Sequence, residues 1–225
     1  MKHVPLQIGV LVGSHGRGTN LQAILDACAA PDGPGEVRLV IGSREGAPAL
    51  ERARAAGTPV AIVSPRRYAG DDAYGAALLA ALLDRGVDFI CLAGYMRLLP
   101  AVVVRRFWPR ILNTHPALLP FFGGEGMYGE HVHRAVLDSG MKVSGCTVHI
   151  VDEQYDHGPI VAQEAVPVEE DDTPETLAAR VLPAEHRTYV RALRLFAEGR
   201  VRVEGHRTVI APPGSGVMAG GSSAV

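Results

Sequence analysis

Aromatic side chains are scarce in this 225-residue chain: Phe, Trp and Tyr make up 5% of it, against 47% hydrophobic residues overall. The core must therefore be built from Ala, Val, Leu and Gly, as in α/β proteins whose helices pack closely on a sheet. Neither sign of charge dominates. A formal net charge of −2 excludes the broad basic face that nucleic-acid binding requires. There are only three cysteines, Cys28, Cys91 and Cys146. They are far apart and lie in apolar runs, which excludes a disulfide framework or a cysteine zinc site and predicts free thiols in a reducing compartment. No apolar run reaches the ~20 residues that cross a bilayer, and Met1–Pro5 shows no signal-peptide pattern. A soluble, cytoplasmic protein with no membrane partner is expected, built as one domain of the larger kind.

Catalytic signatures are missing as well. No H-E-x-x-H is present, and His131 and His133, two apart on an expected helix, point to different sides and make a poor metal pair. No metal site is expected. There is no G-x-S-x-G elbow for a serine hydrolase. The glycine-rich stretch Gly13-Ser14-His15-Gly16-Arg17-Gly18-Thr19-Asn20 has neither the dinucleotide-binding spacing nor the lysine of a P-loop. It remains open as a phosphate cradle at a helix N-terminus or a plain tight turn.

What is present reads as alternation. Strands are expected at Leu6–Val12, Val37–Ile41, Val60–Val63 and Val87–Leu92, with a fifth ending at Ile111–Asn113. Helices are expected at Thr19–Ala30, opened by a Thr19/Gln22 capping box, at Ala47–Ala56, and at Asp71–Arg85 with Leu78, Leu79, Leu82 and Leu83 inward. This order predicts a doubly wound, mostly parallel sheet whose ligands bind beyond the carboxyl ends of the strands. Lys142–Val151 and Ile160–Val166 extend it as an antiparallel pair. A helix capped by Thr173-Pro174 runs to about Glu198, with Pro183 expected to kink or split it. Arg200–Ile210 is a terminal hairpin. The domain thus spans 1–211, and the Gly/Ser/Ala-rich 212–225 is expected to be a disordered tail.

The chemistry concentrates at Ile111-Leu112-Asn113-Thr114-His115-Pro116. An amide and an imidazole stand where the fifth strand ends, and Asp156 waits about forty residues on, before a Gly-Pro turn. An amide can hold an oxyanion, an imidazole can move a proton near neutral pH, and a carboxylate can orient it. The bland alternatives are a buried histidine and a turn aspartate with a local hydrogen bond. His149 alternates within a strand and faces either the site or solvent.

Gly16–Gln22 (GRGTNLQ), Ala93–Leu99 (AGYMRLL), Leu112–Pro120 (LNTHPALLP), Gly145–His149 (GCTVH) and Asp156–Pro159 (DHGP) resemble the phosphoribosylglycinamide formyltransferase family, from the first strand to about Gly199. That resemblance implies a Rossmann-like formyltransferase fold and transfer of a formyl group from 10-formyltetrahydrofolate, the co-substrate, to glycinamide ribonucleotide (GAR). It implies Asn113, His115 and Asp156 as the catalytic trio. Gly18, Thr19 and Asn20 would take the ribonucleotide phosphate and Glu185 the glycinamide portion. Met96, Arg97, Leu98 and Leu99, together with Asn113 and the loop Asp152, Glu153, Gln154, Tyr155 and Asp156, would hold the folate. The alternative for Met96–Leu99 is ordinary core. A monomer or homodimer is expected.

The sequence also departs from that pattern. Leu182-Pro183 stands where the family carries a polar or basic residue, which shifts the phosphate toward the loop and Arg17 or another cation. Phe121–Glu130 is longer than in the shortest members and reads as a mobile lid or a rigid surface loop. An arginine for the folate tail is replaced by Asp71, with Arg66 or Arg67 as substitutes. A formyltetrahydrofolate hydrolase or a methionyl-tRNA formyltransferase would want a further domain, and none is expected here. A non-catalytic nucleotide-binding module would leave the Asn–His–Asp set without a purpose.

Overall fold

The computed structural model describes residues 5–14 and 16–214; residues 215–225 of the expected tail lie outside that range. The apolar runs become Leu6–Val12 (β1), Gly35–Gly42 (β2), Val60–Ile62 (β3), Phe89–Ala93 (β4) and Ile111–His115 (β5). Between them lie Thr19–Ala29 (α1), Pro48–Ala55 (α2), Asp71–Leu83 (α3) and a helix not expected from the sequence, Ala101–Phe107 (α4). Glu130–Asp138 (α5), Val143–Ile150 (β6), Ile160–Pro167 (β7) and Pro174–Ala197 (α6) follow, then the hairpin Val201–Glu204 (β8) and Arg207–Ile210 (β9).

The main sheet has the order β3-β2-β1-β4-β5-β6-β7, and the hairpin forms its own two-stranded sheet. The first five strands pair in parallel, while β6 runs antiparallel to both β5 and β7. Because helices cover both faces, the parallel strands read as continuous apolar runs. Leu21 and Ile24 of α1, Leu50 of α2 and Tyr189 and Leu193 of α6 fill one side. Leu78 and Leu82 of α3 and Val103 and Phe107 of α4 fill the other. Tyr189 is fully buried, and its hydroxyl lies 3.1 Å from the Leu92 carbonyl and 2.8 Å from that of Leu112. One side chain of α6 thus bridges β4 near its end and β5 near its start.

Three local expectations are corrected. The start of α1 has no capping box: Gly18, in the left-handed region at φ 72°, is the cap, with no side-chain bond. Gln22 turns away to donate to Asp26 and accept from Arg52. Leu83 is 41% exposed, because α3 ends there and the inward stripe stops at Leu82. Pro183 does not split α6, which is unbroken from Pro174 to Ala197. Proline removes one backbone donor, but Val181 and Ala184 on either side are fully buried and keep the helix seated. The Thr173 cap is present as expected, reciprocated by Thr176.

The strand order turns between β1 and β4, the switch point where such sheets bind ligands. Here the chain after each strand comes very close to its neighbour. A Cβ on Gly13 would stand 1.9 Å from the Gly94 carbonyl oxygen, so only glycine fits, and the loop after β1 lies against the segment after β4.

Candidate active site

β5 does not end at Asn113 but continues to His115, because Asn113, Thr114 and His115 pair with His149, Val148 and Thr147 of β6. The two-residue period of a strand then sends Asn113 and His115 to one face and Thr114 to the other. Asp156, from the turn after β6, meets the first face. His115 Nδ1 is 3.4 Å from Asp156 Oδ2. The expected trio is therefore brought together, with His149 as a fourth member: its Nε2 lies 3.2 Å from Asn113 Nδ2 and 3.6 Å from Asp156 Oδ1.

The hydrogen bonds assign the protons. His115 Nε2 is 2.8 Å from the Phe122 carbonyl. A carbonyl only accepts, so Nε2 carries the hydrogen and the bare nitrogen of the neutral ring is Nδ1, toward Asp156. His149 Nδ1 faces the Ile150 carbonyl at 3.1 Å and donates to it, so in the neutral ring Nε2 is the bare nitrogen and accepts from the Asn113 amide. That orients the amide and leaves its second N–H free.

Burial lowers the pKa of His115 below the ordinary histidine value. Asp156 and the Phe122 carbonyl pull it back up, His149 pushes it down again, and the net direction is downward. For Asp156, burial raises the pKa, but a hydrogen bond from His149 and the charge of His115, each when its ring is protonated, together with the amide of Gly124, 3.1 Å from Oδ2, hold it below the usual carboxylate value. Asp156 sits at φ 50°, a left-handed conformation that Asp and Asn tolerate best among residues with side chains.

On the other face of β5, Thr114 Oγ1 donates to the buried Glu185 at 3.4 Å. Burial pushes the Glu185 carboxyl up to about 7, against hydrogen bonds from Thr114 and Asn20. Asn20 Oδ1 and His133 Nδ1 are buried without a partner among the described residues.

These groups share one cleft of about 680 Å³, within the usual range of small-molecule sites. Asn113, His115, His149 and Asp156 form its waist. One arm is lined by Arg17, Asn20, Leu182 and Glu185, the other by Met96 to Leu99 with Gln154 and Tyr155, and Gly124–Gly129 also lines the cleft. Met96 and Leu98 are 53% and 42% exposed, which removes the ordinary-core reading for them, whereas Leu99, 2% exposed, does belong to the core. The Leu98 amide donates to the Tyr155 hydroxyl at 2.9 Å, joining the two walls of this arm.

Several expected residues stand back from the cleft. Gly18 and Thr19 do not line it, whereas Arg17 and Asn20 do. Gly18 packs too closely on α2 for any side chain, with a Cβ placed 2.7 Å from Ala49 Cα, and Arg52 fastens the loop by donating to the Arg17 carbonyl at 2.8 Å. Asp152 and Glu153 also lie off the wall. Asp152 accepts from the Gln154 amide and meets His157, and Glu153 pairs with Arg105, so they shape the loop. Arg66 and Arg67 sit in a short turn outside the cleft. Arg97 is in the wall but is shared with Asp71, at 3.3 Å. Among the described residues no group of three or more His, Cys, Asp and Glu could hold a metal ion, and no helix is long and apolar enough to cross a membrane.

Residues 8–193 match the model of the formyl transferase family. The chloroplastic phosphoribosylglycinamide formyltransferase of Arabidopsis thaliana is 43% identical over 201 residues, covering 89% of this chain and 69% of that protein. The trifunctional purine biosynthetic protein adenosine-3 of Gallus gallus is 40% identical over 198 residues, which are 88% of this chain and 19% of that longer one. The crystal structure of glycinamide ribonucleotide transformylase 1 from Symbiobacterium toebii overlays with a TM-score of 0.86 and 50% identity, covering 92% of this chain and 95% of its own. With most of its length inside the family match and a solved relative overlaid nearly end to end, the chain belongs to the formyl transferase family.

Proposed function

We propose that this chain transfers the formyl group of 10-formyltetrahydrofolate to the amine of GAR, yielding formyl-GAR and tetrahydrofolate in purine biosynthesis. The observation that carries the reading is the Asn113–His115–Asp156 set, its imidazole buried and its amide and carboxylate half-buried, at the waist of a cleft with two unlike arms. The polar arm of Arg17, Asn20 and Glu185 suits an anionic nucleotide with an amine. The arm of Met96–Leu99, Gln154 and Tyr155 suits a flat heterocycle.

In this mechanism the amine of GAR attacks the formyl carbon, forming a C–N bond and an oxyanion. The free N–H of Asn113 donates to that oxygen. The amine's proton leaves through water to the bare Nδ1 of His115, and the imidazolium so formed is stabilised by Asp156. Collapse breaks the bond from carbon to N10 of the folate, and the same proton returns to N10. Much of the remaining acceleration comes from holding both substrates at one waist. Mixing the purified protein with both substrates is expected to give formyl-GAR and tetrahydrofolate in equal amounts. Formate released at an undiminished rate when GAR is left out would favour the hydrolase instead.

Two further outcomes test the roles. His149→Ala should lower kcat by about tenfold, since the Asn113 amide loses the acceptor that aims it and one oxyanion donor is worth roughly 10²–10³ when removed outright. A rate equal to the parent's would detach His149 from the site. In Glu185→Gln, KM for GAR should rise by about tenfold above pH 7, where the parent's carboxylate is charged and makes a charge-assisted bond. The parent's KM should fall as pH rises through about 7, the region where Glu185 ionises, and the variant's should lose that step.

A further inference from the structure

His115 is held by a backbone carbonyl as well as by a side chain, and that carbonyl belongs to a residue in an unusual conformation. Phe122 has φ 56°, the left-handed region that residues with a Cβ adopt at a cost. Its neighbour Phe121 is 60% exposed. Phe122 instead packs against the apolar cluster of Val136, Cys146, Leu177 and Val181, drawn from α5, β6 and α6. The anchored ring therefore sets where the main chain turns, and the turn aims the carbonyl at His115 Nε2, 2.8 Å away.

The next two residues complete the arrangement. A Cβ on Gly123 would stand 2.6 Å from Leu119 Cδ2 and 3.2 Å from Asp156 Cβ, so glycine lets the chain pass between them. Gly124, at φ 102°, gives its amide to Asp156 Oδ2 at 3.1 Å. Three consecutive residues thus offer an acceptor to the imidazole and a donor to its carboxylate.

We propose that Phe122 is a positioning residue for formyl transfer: its anchored side chain holds its carbonyl on His115 Nε2, which keeps the neutral ring protonated there and leaves Nδ1 bare to receive the amine's proton. The assignment rests on the catalytic reading of His115. The charged or titratable groups around that ring are Asp156 from the turn after β6, His149 on β6 and His133 on α5. None of the three is itself altered by a substitution at Phe122, and because Asp156 is also held by the Gly124 amide, the Phe122→Leu protein serves as the control for a shifted turn.

The test is nitrogen-15 NMR of the His115 ring above its titration range, with steady-state kinetics, on the parent, Phe122→Ala and Phe122→Leu. The parent is expected to show hydrogen on Nε2 and a bare Nδ1. Phe122→Ala should show a mixture of the two ring forms and a kcat lowered by roughly tenfold to a hundredfold, the scale on which small misplacements act, with both KM values kept. Phe122→Leu, which retains an apolar anchor, should recover the parent's spectrum and most of its kcat. A parent ring with its hydrogen on Nδ1 overturns the proposal without any variant. So does a Phe122→Ala protein with the parent's ring form and rate. Failure of the catalytic reading looks different, because His115→Ala would then turn over like the parent whatever form the ring takes.

Discussion

His115→Ala is expected to lower kcat by about 10²–10⁴-fold, the usual contribution of a positioned general acid–base, while KM for both substrates changes little. Nearly the whole ring is enclosed, at 3% exposure, so it contributes little surface for either substrate to bind. Its bare Nδ1 is also the only nitrogen of that ring left to take the proton released when the amine adds to the carbonyl carbon. Without it the proton must pass to bulk water while the oxyanion stays less compensated. Asn113 and the proximity of the two substrates remain, so residual turnover should still exceed the uncatalysed rate. Formation of tetrahydrofolate under saturating substrates measures this directly. A variant within a few-fold of the parent would remove His115 from the mechanism.

Asp156→Asn should show an effect of about 10²-fold or more on kcat, and the pH profile should move in a defined direction. Asparagine is the informative replacement because it tolerates the left-handed backbone at φ 50° and can still accept from the Gly124 amide. What it removes is the charge. Burial alone lowers the pKa of His115, and Asp156 is the first influence that opposes it. Losing that influence makes the imidazolium harder to form, so the plateau rate falls. The neutral ring then persists to lower pH, so the acid limb of kcat moves to lower pH. A limb that stays in place, or moves up, would show that Asp156 does not act through His115.

The large features were legible because each follows from a strong local signal. Alternating apolar runs and helical faces specify the doubly wound sheet, and its topology brings the ends of β1, β4 and β5 to one edge. That is why Asn20, Met96 and His115, more than ninety positions apart at the extremes, line one cleft. Asn113 and His115 stood out by residue type, and their shared face needs only the strand period. His149 could be narrowed to two faces but not assigned, since its side depends on the register of β6 against β5, which pairs it with Asn113. The role of the Phe122 carbonyl was out of reach. A main-chain oxygen leaves no trace in residue identity, and Phe121-Phe122 gives no hint that one ring goes out and the other in. Continuity of α6 through Pro183 likewise depends on what packs against the helix. The sequence of 121–130 does not choose between a mobile lid and a rigid surface loop, because glycine-rich loops take their form from what they touch.

The hydroxyl of Tyr189, set between the carbonyls of Leu92 and Leu112, has a mechanical consequence. The strand leading into the Met96–Leu99 wall and the strand bearing Asn113 and His115 are cross-braced at the same height by a ring with no room to swing. Those two walls form a stationary jaw.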